Sequence, residues 1–415
     1  MNTLRKWTLA LAGVWACAAS SVSAQDLTLQ ESLRRALAEH GSVRAEAAAV
    51  AAAGHQAEFD GLAPPLTLSG DLENIAGTGA VSGIRSTETT LRLGRLLELG
   101  DKRMARQSVG RAQVDRQRNV LDQRRLDLAA RVAHRFIQVL SKQARLQLAD
   151  SALTLARSSQ DAMSIRVKRG RSPQTELDLA ELAVLRAELE QEDAEHELAS
   201  ARVTLSVLWG EQEPKFTQAA GDLQNLPEVA EFETLAARLM QSPNLHAFKL
   251  EAQQVAAQTI LAESARKPDV HAALGVRRLE GIDDQALLFS FSMPLGSAGR
   301  ASHHIERQHA ESERIDALGH AAALEAFQSL YGDYQELLHA RHQAETLRDR
   351  MIPVAERALS ATQAGFAEAR LSFLQVAEAR SVLLGLQREA IDASARYHRL
   401  LADIERATAL TGDQP

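Results

Sequence analysis

Apolar positions recur at mixed spacings of three and four along most of this chain, and at a spacing of two in four short stretches. The first pattern predicts amphipathic helices and the second predicts strands with one apolar face. Strands are expected at Leu66 to Asn74, Glu88 to Leu97, Val270 to Leu279 and Gln285 to Pro294. In the third, Val270, Ala272, Leu274 and Val276 share a face; in the fourth, Leu287, Phe289, Phe291 and Met293 do. The helical runs around them are very long. Asp101 to Lys168 holds no proline and a single glycine, a helix path of roughly 100 Å at 1.5 Å per residue. A partner from Gln174 to Leu208 returns antiparallel after the turn KRGRSP. A second hairpin runs from Ala301, turns near AEARLS and returns to about Thr411, with a kink expected at Pro353. Helices this long cannot bury a stripe inside a compact globule, so packed, elongated hairpins are expected.

The pattern is written twice. Leu37, Val43 and Ala45 correspond to Leu239, Leu245 and Ala247, in copies of an amphipathic helix that ends at proline and passes into a strand. ELGDKR at Glu98 to Arg103 matches LGSAGR at Leu295 to Arg300, each at a strand-to-helix junction. RFIQVL around Phe136 matches DYQELL around Tyr334, and GRSPQTELDLAE from Gly170 matches ARLSFLQVAEAR from Ala369. Four landmarks in one order argue for a duplication. The chain divides into 1–24, a first repeat at 25–220 and a second at 221–415, each helix, β-hairpin and long helical hairpin.

Composition sharpens this. Hydrophobic residues make up 45% and charged residues 24%, with only 10 prolines and 23 glycines, a balance suited to long helices. The net charge of −7 gives a nucleic-acid partner no electrostatic support. At the N-terminus Arg5 and Lys6 precede an apolar run and then SVSA before Gln25, the layout of a secretory signal peptide. Its removal takes the charge to about −9. The only cysteine, Cys17, lies inside that segment, so the mature chain is expected to have no thiol. VWAC loosely resembles a lipidation box, although the bulky Trp15 argues against lipidation. No later segment reaches the roughly 18 apolar residues of a spanning helix.

The strands then pose a problem of edges. Each is about ten residues, the length of a tilted strand crossing a bilayer. Four cannot close a barrel, and open edges are not tolerated in lipid. In water a covering helix would hide the apolar face, but the flanking helices are too long to fold back over so small a sheet. Three copies of the chain would bring twelve strands and leave no free edge.

Candidate chemistry is sparse. GxSxG, P-loop and dinucleotide-loop motifs are missing from the sequence, and no Ser/His/Asp set has supporting context. His303, His304, His309, His339 and His342 form no HExxH or Cys/His set, and His339 and His342 at i, i+3 read as surface histidines. No enzyme activity, cofactor or resident metal is expected.

The duplicated layout and its two motif pairs resemble the TolC-like outer membrane factors of efflux and secretion systems. The ELGDKR junction is similar to the element common in the CzcC-like heavy-metal branch. The resemblance spans nearly the whole mature chain. It implies a mainly α fold with a small β part: long α-helical hairpins as an α-barrel, and four strands per chain forming a 12-stranded membrane β-barrel in a homotrimer. It also implies an outer-membrane location reaching into the periplasm, a periplasmic adaptor and an inner-membrane resistance-nodulation-division pump as partners, and divalent heavy-metal cations as cargo. A drug-efflux or type I secretion duct remains open within the family, and a soluble periplasmic coiled-coil adaptor outside it. By the resemblance, Gly170, Arg171, Ser172 and Thr175 with Ala369, Arg370, Leu371 and Ser372 form the adaptor-docking tip. Ala369 stands where the family has glycine, so a turn of different detail is expected there. Gln375 and Glu378 match an acidic tunnel constriction in which only Glu378 keeps its carboxylate. Such a ring would repel itself and attract cations. Leu287, Phe289, Phe291 and Met293 are expected to face lipid, and the isolated trimer to rest closed.

Overall fold

The computed structural model describes residues 26–410. The expected signal peptide at 1–24, with Cys17, lies outside the described residues, as does Thr411. Two short helices open the described chain, α1 at Leu29–Glu39 and α2 at Gly41–Asp60. A β-hairpin follows, β1 at Leu66–Glu73 and β2 at Glu88–Leu97, then the long hairpin α3 at Lys102–Lys168 and α4 at Gln174–Ser206. The second half repeats this with α5 at Phe232–Leu239, α6 at Pro243–Ser264, β3 at Val270–Leu279 and β4 at Asp284–Ser292. It ends in α7 at Ser297–Thr346, α8 at Ile352–Ala367 and α9 at Phe373–Thr408.

Three expectations need correcting. The single helix expected before each hairpin is a pair. His40 adopts an extended conformation and its Nδ1 accepts from the Ser42 backbone N–H at 3.2 Å, ending α1 and starting α2. In the second half Pro243 sits in the first turn of α6, where its missing N–H is harmless. The kink expected at Pro353 is a π-helical turn over Leu347–Met351, directly before the proline. Met293 falls just past the end of β4 rather than within it.

At 67 residues, α3 forms the spine. It packs between α4 and α9, and α7 and α8 continue the layer beyond α9. The largest core cluster joins Leu128, Val132, Phe136 and Leu140 of α3 to Leu27, Trp209, Phe216 and Leu223, and to Leu198 and Leu205 of α4. The matching cluster in the second half gathers Leu235, Leu239, Leu330, Leu337, Tyr397 and Ile404. Tyr397 is fully buried and its hydroxyl donates to the Pro227 carbonyl. Thus α1, α5 and the connecting segment 213–230 lie on one side of a single helical layer. Near its start α3 meets α2 so closely that a Cβ at Gly110 would stand 2.7 Å from the Ala57 Cβ, which is why the one glycine of α3 sits there.

Candidate functional site

Three places carry the candidate functional residues: the sheet, its junction with the helices, and the far ends of the two long hairpins.

The sheet is antiparallel throughout, in the order β1-β2-β3-β4. Its register aligns Leu68, Leu93, Leu274 and Phe289 in one row and Leu91, Val276 and Leu287 in the next. These residues share one face, and all are exposed, with Leu287 at 88%, Phe289 at 69% and Phe291 at 70%. Met293, beyond the strand, is 44% exposed. The opposite face is polar. Arg277 donates to Glu88 Oε2 at 2.7 Å and to Thr90 Oγ1 at 3.0 Å, and pairs with Glu73 at 3.1 Å. Arg92 pairs with Asp71 on the same face. The outer edges of β1 and β4 have no strand partner among the described residues. An apolar face turned outward, with a salt-bridged face behind it, inverts the arrangement of a soluble sheet and matches a barrel wall in lipid.

The ELGDKR junction fastens sheet to helix. The Lys102 ammonium donates to the Lys267 carbonyl at 2.7 Å and to Asp269 Oδ1 at 2.5 Å. Arg103 Nε donates to the Gly61 carbonyl, and Arg106 Nε to that of Asp60, both at 2.7 Å. Arg103 and Arg106 therefore meet the negative C-terminal end of α2, where unpaired carbonyls favour positive charge, while Lys102 is held by the segment that follows α6. Glu98 holds Arg106 in place, with its Oε2 2.9 Å from Nη2.

At the far ends, both turns are closed by the same hydrogen bonds. The Gly170 N–H donates to Val167 O at 2.9 Å and that of Arg171 to Arg166 O at 2.9 Å. The Ala369 N–H donates to Phe366 O at 3.0 Å and that of Arg370 to Gly365 O at 2.8 Å. Both patterns are the Schellman ending, which needs a left-handed residue after the cap. Gly170 takes φ 67° and Ala369 φ 58°. The expected difference at Ala369 is absent from the backbone: alanine carries the glycine conformation at a steric cost of about 1–2 kcal/mol. Gly170, Arg171, Thr175, Ala369, Arg370 and Ser372 are exposed, while Ser172 and Leu371 are half-buried.

The two tips are held side by side by residues that local patterning did not single out. Arg166 lies over the Phe366 ring at 4.3 Å and its Nη1 donates to the Phe366 carbonyl at 3.0 Å. Phe366 meets Phe373 edge-on at 6.2 Å between centroids, above a cluster of Met163, Ala180 and Phe373. Phe366 and Phe373 are two of only ten phenylalanines, and their placement on either side of a turn was the available signal.

Gln375 is engaged locally. Its side-chain carbonyl accepts from the Ser372 N–H at 3.0 Å, completing a capping box at the start of α9. Glu378, one turn on, is exposed. Two residues further, Arg380 is buried and donates to Ser159 Oγ of α3 at 2.6 Å. Burial holds its pKa below the ordinary arginine value. Among the described residues no cluster of three or more His, Cys, Asp or Glu side chains could hold a metal ion, and no helix is long and apolar enough to cross a membrane.

Residues 32–211 match the sequence profile of the outer membrane efflux protein family. Over 325 residues the chain is 28% identical to the cobalt-zinc-cadmium resistance protein CzcC of Cupriavidus metallidurans, covering 76% of this chain and 78% of the relative. Its fold is similar to that of CusC, a protein studied for transmembrane channel formation, with TM-score 0.77, 16% identity and 92% of each chain covered. It is also similar to the outer membrane protein VceC of Vibrio cholerae, with TM-score 0.73 and 15% identity over 93% of this chain and 97% of that one. With its duplicated hairpins, its outward-apolar sheet and the match over residues 32–211, the chain resembles the outer membrane efflux protein family and has the fold of its channels.

Proposed function

We propose that this protein is the exit duct of a tripartite, proton-driven efflux system. Three copies associate, their strands close a twelve-stranded barrel in the outer membrane, and their long hairpins line a tunnel through the periplasm. The observation that carries the reading is the sheet. A wholly exposed apolar face, two unpaired edges and a polar reverse leave it unstable alone in either water or lipid, and closure with two further copies removes the edges. Residues 1–24 act as the export signal, and 25–220 and 221–415 are the two repeats.

The remaining assignments follow the fold. The exposed turns around Gly170 and Ala369 meet a periplasmic adaptor, which couples the duct to an inner-membrane resistance-nodulation-division pump. Glu378 from three copies forms the acidic constriction, while Gln375 serves the helix start. The likeness to CzcC supports heavy-metal export as the system's role. The protein itself does no chemistry: energy and selection come from the pump, and this subunit conducts.

The test is fractionation of cells producing the full chain, followed by the mass of the purified protein in detergent. A trimer in the outer membrane is the expected result. A soluble periplasmic monomer would overturn the reading and favour the adaptor alternative.

A further inference from the structure

The face of the helical layer opposite α1 and segment 213–230 carries an open groove of about 790 Å³ between α3 and α9. Its cations are Arg131, Arg135, Lys142 and Arg145 of α3 with Arg399 and Arg406 of α9; its carboxylates are Asp127, Asp392 and Asp403. Leaving His134 aside, six cations face three carboxylates. Arg406 pairs with Asp127 at 2.9 Å, Arg145 with Asp392 at 2.6 Å, and His134 with Asp403 at 3.0 Å. Lys142 reaches sideways to Glu197 of α4 at 2.7 Å. Arg135 is held by the neutral Gln138 at 3.0 Å. Arg131 and Arg399 make no ion pair among the described residues. The surplus is therefore positive after every pairing.

Helix geometry says which way this belt looks. On α3, Val132, Phe136 and Val139 are buried toward α1 and segment 213–230. Asp127, His134, Gln138 and Arg145 fall about half a turn away from that stripe on a helix of 3.6 residues per turn, and Arg131 about a third of a turn, on the flank where it also acts on His40. To one side α3 is flanked by α4, and to the other by α9. The centre of the belt thus lies mid-layer, between α4 and α9. In a closed ring of three such layers, the side bearing α1 and segment 213–230 must be the outside, since those elements would otherwise fill the bore. The opposite side, with the belt, faces the bore.

We infer that the duct is anion-selective at this level, so that its cargo passes as a solute of net negative charge. This rests on the duct reading above. It also narrows the form of a metal cargo: a divalent cation would pass wrapped in carboxylate or thiolate ligands rather than as a free hydrated ion. Three copies of a charge surplus around one narrow axis focus their field on the lumen, concentrating anions and excluding small cations. Glu378 at the tip has the opposite sign, so the two levels must be separated in any test.

The experiment uses purified full-length trimers in planar bilayers under a tenfold KCl gradient. The background carries Arg166→Ala, to loosen the tip, and Glu378→Gln, to remove its charge. Chloride is expected to permeate at least about threefold better than potassium. Adding Arg131→Glu and Arg399→Glu should invert that preference, and Arg131→Gln with Arg399→Gln should bring it near unity. Assembly of each variant is checked by its trimer mass. Potassium preference in the background, or a ratio unmoved by the Arg131 and Arg399 changes, overturns the inference and leaves the duct reading standing. Assembled trimers that carry no current at all overturn the duct reading itself.

Discussion

Ala369 and Gly170 occupy the same left-handed position in two copies of one turn, yet only glycine is at ease there. Ala369→Gly should therefore stabilise the second tip, and Gly170→Ala should destabilise the first, each by about 1 kcal/mol. Amide hydrogen exchange at the tip residues would read this as a roughly fivefold change in protection, in opposite directions. Equal exchange in both variants would mean the turns are held by the adjoining cluster of Met163, Ala180 and Phe373 rather than by their backbone. The glycine turn is legible in GRSPQTELDLAE because the αL residue is written as glycine. The alanine turn was found only by its place in the repeat. Arg380 marks the limit at this scale. A charged residue at helical spacing reads as solvated surface, and only the packing of α9 against α3 reveals that it is buried against Ser159.

Between elements, the link that holds the two hairpin ends together is Arg166. Its guanidinium stacks on Phe366 and donates to that residue's carbonyl, joining α3 to α8 across residues about 200 apart. An exposed cation–π contact contributes about 0.5–1 kcal/mol and the hydrogen bond a similar amount. Arg166→Ala should thus free the tips and raise the single-channel conductance of purified trimers over wild type in planar bilayers. An unchanged conductance would show that this pair does not keep the tip closed. Most elements themselves were legible: β2 and β3 lie at the expected residues, and α3 starts one residue later. Their limits are set by local signals such as Gly100, Pro173 and alternating polarity. The break at His40 was not legible. It depends on an imidazole acting as a helix cap, for which the apolar spacing leaves no trace.

For the whole molecule, the decisive feature is the two-faced sheet. Phe289→Arg places a cation on the face proposed to meet lipid, at a penalty of about 2–4 kcal/mol near the bilayer midplane. Ser290→Arg places the same cation on the polar face, beside Ala273 in the register. The expected outcome is a marked loss of outer-membrane trimer for the first substitution and near-normal yield for the second, scored by trimer bands in membrane fractions. Equal yields would mean the apolar face is covered by something other than lipid. By itself the amino-acid sequence determined the type and order of the main elements, their duplication and the apolar faces of β3 and β4. Periodicity and turn chemistry act over a few residues, and a repeat is visible by self-comparison. Only the tertiary structure decided which side of α3 bears the basic belt, what Arg166 touches and where Arg380 is buried. Each depends on how helices distant in the chain are rotated against one another, and that rotation is set by the packing of whole faces.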